Sequence, residues 1–223
     1  MATKKQPQPY SSQAHPWHGV SPGPEAPEVV TAYMEIVPTD TVKYELDKET
    51  GILRLDRPQR FSSQCPTPYG FIPQTYCDEL VAKRCAERTG IKDIKGDGDA
   101  LDICVLTEKV ITNGALLVHA IPVGGFRMVD GKEADDKIIA VLEADLVYGA
   151  LQHVAQLPTA LVERLKHYFL TYKQIPSEVK RSVEIVEMYD RSEAHEIIKR
   201  SMKDYQRVYG RPAAARKPRG RKG

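Results

Sequence analysis

Between Val29 and Asp56 apolar and polar side chains alternate loosely in three short runs, V-V-T-A-Y-M-E-I-V, V-K-Y-E-L-D and I-L-R-L-D, separated by T-D-T and E-T-G. A period of two puts every second side chain on one face of an extended strand, so the runs with their turns predict an antiparallel meander. Strand signals recur at Leu101–Thr107, Ala115–Val123, Phe126–Val129 and Ile138–Leu142, with glycine-bearing turns between several of them. Short strands in such succession predict a small closed barrel. Helical spacing interrupts it. Cys77–Arg88 reads as a helix closed by Gly90, and Thr159 can cap a second whose Leu161, Leu165, Tyr168 or Phe169, and Tyr172 share a face, ending before Pro176. A last amphipathic helix starts at Ser192 and carries Ile197, Ile198, Met202, Tyr205 and Val208. The expected class is α+β, mainly β, without internal repeats.

The two ends depart from this pattern. Residues 1–28 are rich in Pro, Gln, Ser and Gly and carry no hydrophobic period, so they are expected to form an arm. Within it H-P-W-H places His15 and His18 around Trp17; a Trp17 that docks on the body or on a neighbouring subunit is preferred over metal binding by the histidines. Residues 211–223 contain Arg211, Arg216, Lys217, Arg219, Arg221 and Lys222 and no acid, a basic tail whose attraction to phosphate polymers would be salt-sensitive and non-specific. The formal net charge of +2 therefore hides a mildly acidic body, expected as one domain over residues 29–210. A hydrophobic content of 41% and a charged content of 28% fit a globular chain rather than a disordered one. No apolar run reaches the roughly 18 residues of a membrane-spanning helix, and the polar start is unlike a secretory leader, so a cytoplasmic location is expected. Cys65, Cys77, Cys85 and Cys104 form no C-x-x-C pair, which argues against zinc or a disulfide framework.

Candidate chemistry concentrates in K-G-D-G-D-A-L-D-I-C-V-L, where three carboxylates crowd the entrance to an apolar strand. Asp97 and Asp99 can share a face, and Gly98 lets the backbone bend so that Asp102 joins them. Carboxylates this close raise one another's pKa, and hard divalent cations relieve the repulsion. Mg²⁺ suits such a site because it takes oxygen ligands, keeps several waters and bridges to substrate phosphates. An EF-hand loop fails at its fifth and sixth positions, which are Leu101 and Asp102. A second acidic stretch, M-V-D-G-K-E-A-D-D-K, follows Phe126; alone it reads as a charged hairpin loop. Cations that a polyphosphate needs are offered by Lys43 beside Glu45, Arg57 after Asp56, Lys137, and Lys173 after Tyr172.

Taken in order, these segments resemble the soluble family I inorganic pyrophosphatases. That family's signature, D-[SGDN]-D-[PE]-[LIVMF]-D-[LIVMGAC], is met by D-G-D-A-L-D-I from Asp97 to Ile103 except at Ala100. The resemblance runs on through M-E-I at Glu35, K-Y-E-L-D-K-E-T-G from Lys43 to Gly51, L-D-R ending at Arg57, P-Y-G-F-I around Tyr69, D-G-K-E-A-D-D-K from Asp130 to Lys137, and H-Y-F-L-T-Y-K ending at Lys173. It implies Mg²⁺-dependent hydrolysis of pyrophosphate to two orthophosphates on a five-stranded barrel resembling an OB fold, flanked by helices. It also implies roles. Asp97, Asp102 and Asp135 match metal ligands, with Asp102 bridging two ions; Asp130 matches a further ligand, and Glu45 and Glu35 match acids that hold or orient additional metal. Asp99 matches the general base. Lys43, Arg57, Tyr69, Lys137, Tyr172 and Lys173 match positions that bind phosphates.

Three departures from the family pattern stand out. Cys65 replaces a tyrosine expected shortly before P-Y-G, which takes a hydroxyl from the phosphate pocket. The stretch 73–96 is about twenty residues longer than in compact relatives, consistent with an inserted helix and loop. The flanking arms are unusual. The resemblance further implies a homo-oligomer, a hexamer favoured and a dimer as the alternative. Two other functions compete. A nucleotide or polyphosphate hydrolase is disfavoured because G-x-x-x-x-G-K-[ST] is absent, and a nucleic-acid-binding barrel because the strands carry no aromatic and basic stripe.

Overall fold

The computed structural model describes residues 14–175 and 183–210, so the basic tail and Pro176 lie outside the described residues. The chain opens into β1 (Val30–Ile36), every residue of which is buried. β2 (Val42–Leu46) and β3 (Leu53–Pro58) then pair only with each other, as a half-exposed antiparallel hairpin. The expected meander therefore breaks after β1. At that corner the Val37 N–H donates to Asp40 Oδ2 at 2.8 Å, and the Asp40 N–H closes back on the Val37 carbonyl at 2.9 Å, a turn that redirects the chain out of the main sheet.

The main sheet has eight strands. β4 (Tyr69–Phe71) pairs antiparallel with β1 and with β6 (Asp102–Leu106). β6 runs parallel to β9 (Lys137–Leu142), which pairs antiparallel with β7 (Leu116–Asp130). β7 pairs in turn with β10 (Val183–Asp190), with β8 (Glu133–Ala134) and, near its start, with β1, while β8 runs parallel to β5 (Lys95–Gly96).

The apolar runs in β6 and β9 are continuous rather than alternating because both faces are covered. Ile103, Val105, Ile138 and Ala140 pack in one core with α1 (Glu79–Thr89) and α3 (Arg191–Tyr209), contributing Val81, Cys85, Ala194, Ile197 and Ile198. Cys104, Leu106, Ile139 and Val141 point the other way, into a core closed by Val162, Leu165, Tyr168 and Phe169 of α2 (Thr159–Thr171). A parallel pair buried on both sides has this pattern. The molecule is thus mainly sheet, with three α-helices among the described residues.

Some element boundaries differ from the sequence expectation. The runs expected at Ala115–Val123 and Phe126–Val129 form, from Leu116 on, the single strand β7, which bends at a register shift between Pro122 and Gly124 instead of turning. Gly125 lets the Tyr189 ring of β10 pack directly on β7, since a Cβ there would fall 2.4 Å from that ring. α1 starts two residues later than expected and ends as expected, with Gly90 in the left-handed region at φ 74°. Its amino end is capped from a distance: Asp204 of α3 accepts from the N–H groups of Asp78, Leu80 and Val81 at 3.0–3.2 Å. Thr159 is the first residue of α2 rather than its cap, that position being Pro158. α3 is capped by Asp190, which accepts from the Glu193 N–H.

Trp17 docks on the body. It is 3% exposed, packs with Tyr33, Leu46, Phe71 and Tyr205, and donates its indole N–H to the Thr75 carbonyl at 2.8 Å. His18 stacks on the Trp17 ring and shares a 2.8 Å hydrogen bond with the Tyr205 hydroxyl, so this aromatic cluster accounts for its position. All four cysteines are free and buried.

Candidate active site

β6 and β9 start at the same level, and their parallel register sets Asp102 directly opposite Lys137. β4, on the other flank of β6, begins at Tyr69, whose hydroxyl donates to Asp102 Oδ2 at 2.6 Å. The Lys137 ammonium lies between Asp102 and Asp135 and donates to both carboxylates. Asp97 reaches the same place from the loop before β6, where Gly98 at φ 73° makes the bend and the Asp99 N–H donates back to Asp97 Oδ1 at 3.0 Å.

The β2–β3 hairpin forms the facing wall. Alternation along β2 puts Lys43 and Glu45 on one face, 3.3 Å apart, and cross-strand register sets Lys43 opposite Arg57. Asp56 accepts from both cations, from Lys43 at 3.2 Å and Arg57 at 2.6 Å. Below the hairpin, Glu35 of β1 accepts the Leu46 N–H at 2.6 Å. At the rim Lys173 pairs with Asp130 at 2.8 Å. A cavity of about 250 Å³ lies between these groups.

Glu35, Lys43, Glu45, Arg57, Tyr69, Asp97, Asp99, Asp102, Asp130, Asp135, Lys137, Tyr172 and Lys173 all line this one cavity, so every residue nominated from the sequence comes to it. The structure adds Lys48, Glu133 and Trp17. Lys48 pairs with Asp99 at 2.5 Å from the turn between β2 and β3. Its place in K-Y-E-L-D-K was the available signal. For Trp17 no pattern linked the arm to the acidic loops. Cys65 does not line the cavity; it is 1% exposed and lines a separate neighbouring pocket that shares Tyr168 with it.

Burial and, after it, the charge of Asp135 push the Asp97 carboxyl up to about 8. Burial likewise pushes Glu35 up to about 8, against the pull of the Leu46 N–H. Asp99 is raised by burial, with Lys48 acting the other way. Burial opposes ionisation of Asp135 too, but Lys137 outweighs it and holds that carboxyl below the usual range. For Lys137 burial works against the charge, yet Asp102 and Asp135 keep the ammonium well above its ordinary value.

These groups offer oxygen donors alone, the set that hard divalent ions take. The fit lies in donor type and shared cavity rather than in a finished cage: among the described residues no three acidic, imidazole or thiol side chains form a ready-made metal cluster. Lys137 takes the central position among the acids. Cations facing carboxylates across a small cavity define a protein that handles a compact polyanion together with metal ions.

Comparison with known proteins narrows that class. Residues 32–206 match the family model described as inorganic pyrophosphatase. The chain is 50% identical over 198 residues to an inorganic pyrophosphatase of Chlamydia trachomatis, covering 87% of this chain and 95% of that protein. It is 34% identical to soluble inorganic pyrophosphatase 2 of Chlamydomonas reinhardtii, over 88% of this chain and 91% of that one. Among solved structures, the inorganic pyrophosphatase of Thermus thermophilus superposes with a TM-score of 0.72 at 28% identity, covering 86% of this chain and 99% of that one. The chain belongs to the inorganic pyrophosphatase family. Membership implies a divalent metal cofactor.

Proposed function

We infer that the chain hydrolyses pyrophosphate to two orthophosphates with Mg²⁺ as cofactor. The observation that carries this reading is the convergence on one cavity of carboxylates and cations from segments as far apart as Glu35 and Lys173. Asp97, Asp102 and Asp135 would hold the metal ions, with Asp102 shared among them, and Asp130, Glu45 and Glu35 would be further ligands or orienting groups. When bound, Mg²⁺ supplies a lowered pKa for water and neutralises phosphoryl oxygens.

The remaining steps belong to the side chains. Asp99 accepts a proton from the attacking water or orients it. Lys43, Arg57, Tyr172 and Lys173 grip the phosphates and stabilise the negative charge that develops as the anhydride bond breaks. Tyr69, which hydrogen-bonds Asp102, and Lys137 contribute donors at the floor. Lys137, which pairs with Asp102 and Asp135, would offer its ammonium to phosphate once those carboxylates hold metal ions.

The finer architecture we read as a closed five-stranded OB-like barrel, supported by β1 pairing with both β4 and β7 while β4, β6, β9 and β7 pair in sequence. The working domain is residues 29–210 with 73–96 as an insertion, acting as a homo-oligomer in the cytoplasm. No described helix is long and apolar enough to cross a membrane.

Phosphate release from pyrophosphate, ATP and tripolyphosphate, with and without chelator, tests the reading. Rapid Mg²⁺-dependent release from pyrophosphate above the other two is expected. Preference for ATP, or indifference to chelator, would overturn it.

A further inference from the structure

Behind the acidic loop of the cavity lies a second set of charges, outside the groups assigned to metal or phosphate. Arg127 of β7 has a fully buried side chain. Its Nη1 pairs with Glu187 of β10 and its Nη2 with Glu193 of α3. Nε faces Asp136 Oδ1 at 3.7 Å, and neither Nε nor either Asp136 oxygen makes a hydrogen bond. Asp136 thus faces the Arg127 guanidinium on one side and the Tyr189 hydroxyl on another.

Each glutamate is gripped a second time, from α1. Arg84 donates Nε and Nη2 to the two Glu193 oxygens at 2.9 and 2.5 Å, and Arg88 pairs with Glu187. Three arginines thus balance Glu187, Glu193 and Asp136 around the buried Arg127 guanidinium, with Arg88 half-exposed at the outer edge, so that removing Arg84 and Arg88 leaves Arg127 alone to face three acids.

Asp136 connects this set to the cavity. It stands between Asp135 and Lys137 in an extended segment, so those two face the cavity while Asp136 faces Arg127. α1 also leads through β5 into the Asp97 loop, and β5 holds β8 through Lys95 and Gly96 opposite Glu133 and Ala134, just ahead of Asp135.

We propose that Arg127, tied to α1 through Glu187 and Glu193, is a positioning residue that holds the Asp135–Lys137 segment for uptake of divalent cations. The proposal rests on the metal-dependent reading above. Unlike the cavity residues, Arg127 touches no reacting group; it acts on Asp135 through the neighbouring Asp136. The stretch 73–96, whose helix supplies Arg84 and Arg88, thereby sets cation affinity from outside the cavity.

The test uses the full chain carrying Arg84→Gln and Arg88→Gln together, with Arg127→Met as the more severe variant. Calorimetric titration with Mg²⁺ in the absence of substrate should show a dissociation constant raised about tenfold, with turnover at saturating Mg²⁺ changed by less than about twofold. Arg127→Met should weaken binding further. Should it fail to fold, the double α1 variant decides the matter alone. A double variant that melts earlier yet binds Mg²⁺ with wild-type affinity would overturn the proposal, because the charges would then serve the fold only. A wild-type chain that binds Mg²⁺ without hydrolysing pyrophosphate would overturn the functional reading instead, and the affinity comparison would still decide this one.

Discussion

Asp102 occupies the crossing point of the site: it accepts from Tyr69, pairs with Lys137 and opens the strand that both cores enclose. Asp102→Asn keeps the shape and removes the charge. Turnover at saturating Mg²⁺ is expected to fall about a hundredfold if Asp102 serves as the proposed ligand of more than one ion, and a colorimetric phosphate assay measures it. Cys65 is the contrasting case. It packs with Cys104 and Val162 and its thiol donates to the Thr67 carbonyl at 3.2 Å, so a tyrosine there must fit among core side chains. Cys65→Tyr is therefore expected to cost about 1–3 kcal/mol of stability, read by denaturant unfolding, with the KM for pyrophosphate unchanged. A family pattern identifies which residue type is missing at a position; it does not say which way the replacement points.

At the scale of elements, α1 is the piece whose stability depends most on distant chain. Its own residues provide no side-chain cap at the amino end, and Asp204, fully buried on α3, satisfies those N–H groups instead. Asp204→Ala should cost about 1–2 kcal/mol and raise amide exchange in the first turn of α1, while α2 exchanges as before. This long-range cap also shows where sequence reading stops. Helical spacing, the Gly90 stop and the apolar runs of β6 and β9 are local patterns, and each was legible. The route of β1 away from β2, the continuity of β7 past Gly124 and the cap from Asp204 depend on which segments meet in space. The site divides the same way. Its carboxylates and cations could be named because the motifs keep their order and spacing. Lys48 needed the hairpin's closeness to Asp99, Trp17 the docking of the arm, and the Arg127 set the packing of α1 against β10 and α3.

For the molecule as a whole, the acids concentrated at one cavity couple folding to cations and to pH. Glu35 and Asp97 ionise near 4.5 and 3.8 when unperturbed, and the fold moves both up to about 8. The folded chain thus binds protons more tightly than the unfolded chain, and that advantage is complete below about pH 4. It is lost progressively as pH rises, and is gone once pH passes about 8, where both carboxyls are ionised in either state. Chelator-treated protein should consequently show this contribution declining from about pH 5 to 8 in denaturant titrations. Divalent cations act in the opposite sense, since binding requires the ionised carboxylates: the Mg²⁺ affinity should strengthen across the same window, and protons should be released on titration. At a concentration a hundred times the dissociation constant, Mg²⁺ should add about 2.7 kcal/mol to the stability of the folded chain. At a fixed Mg²⁺ concentration the increment should shrink in Asp97→Asn, and the Asp97 part of the pH dependence should disappear, leaving that of the other raised carboxyls, among them Glu35, Asp99 and Asp136. A stability curve with the same slope with and without Mg²⁺ would mean that these carboxyls do not take up the ion.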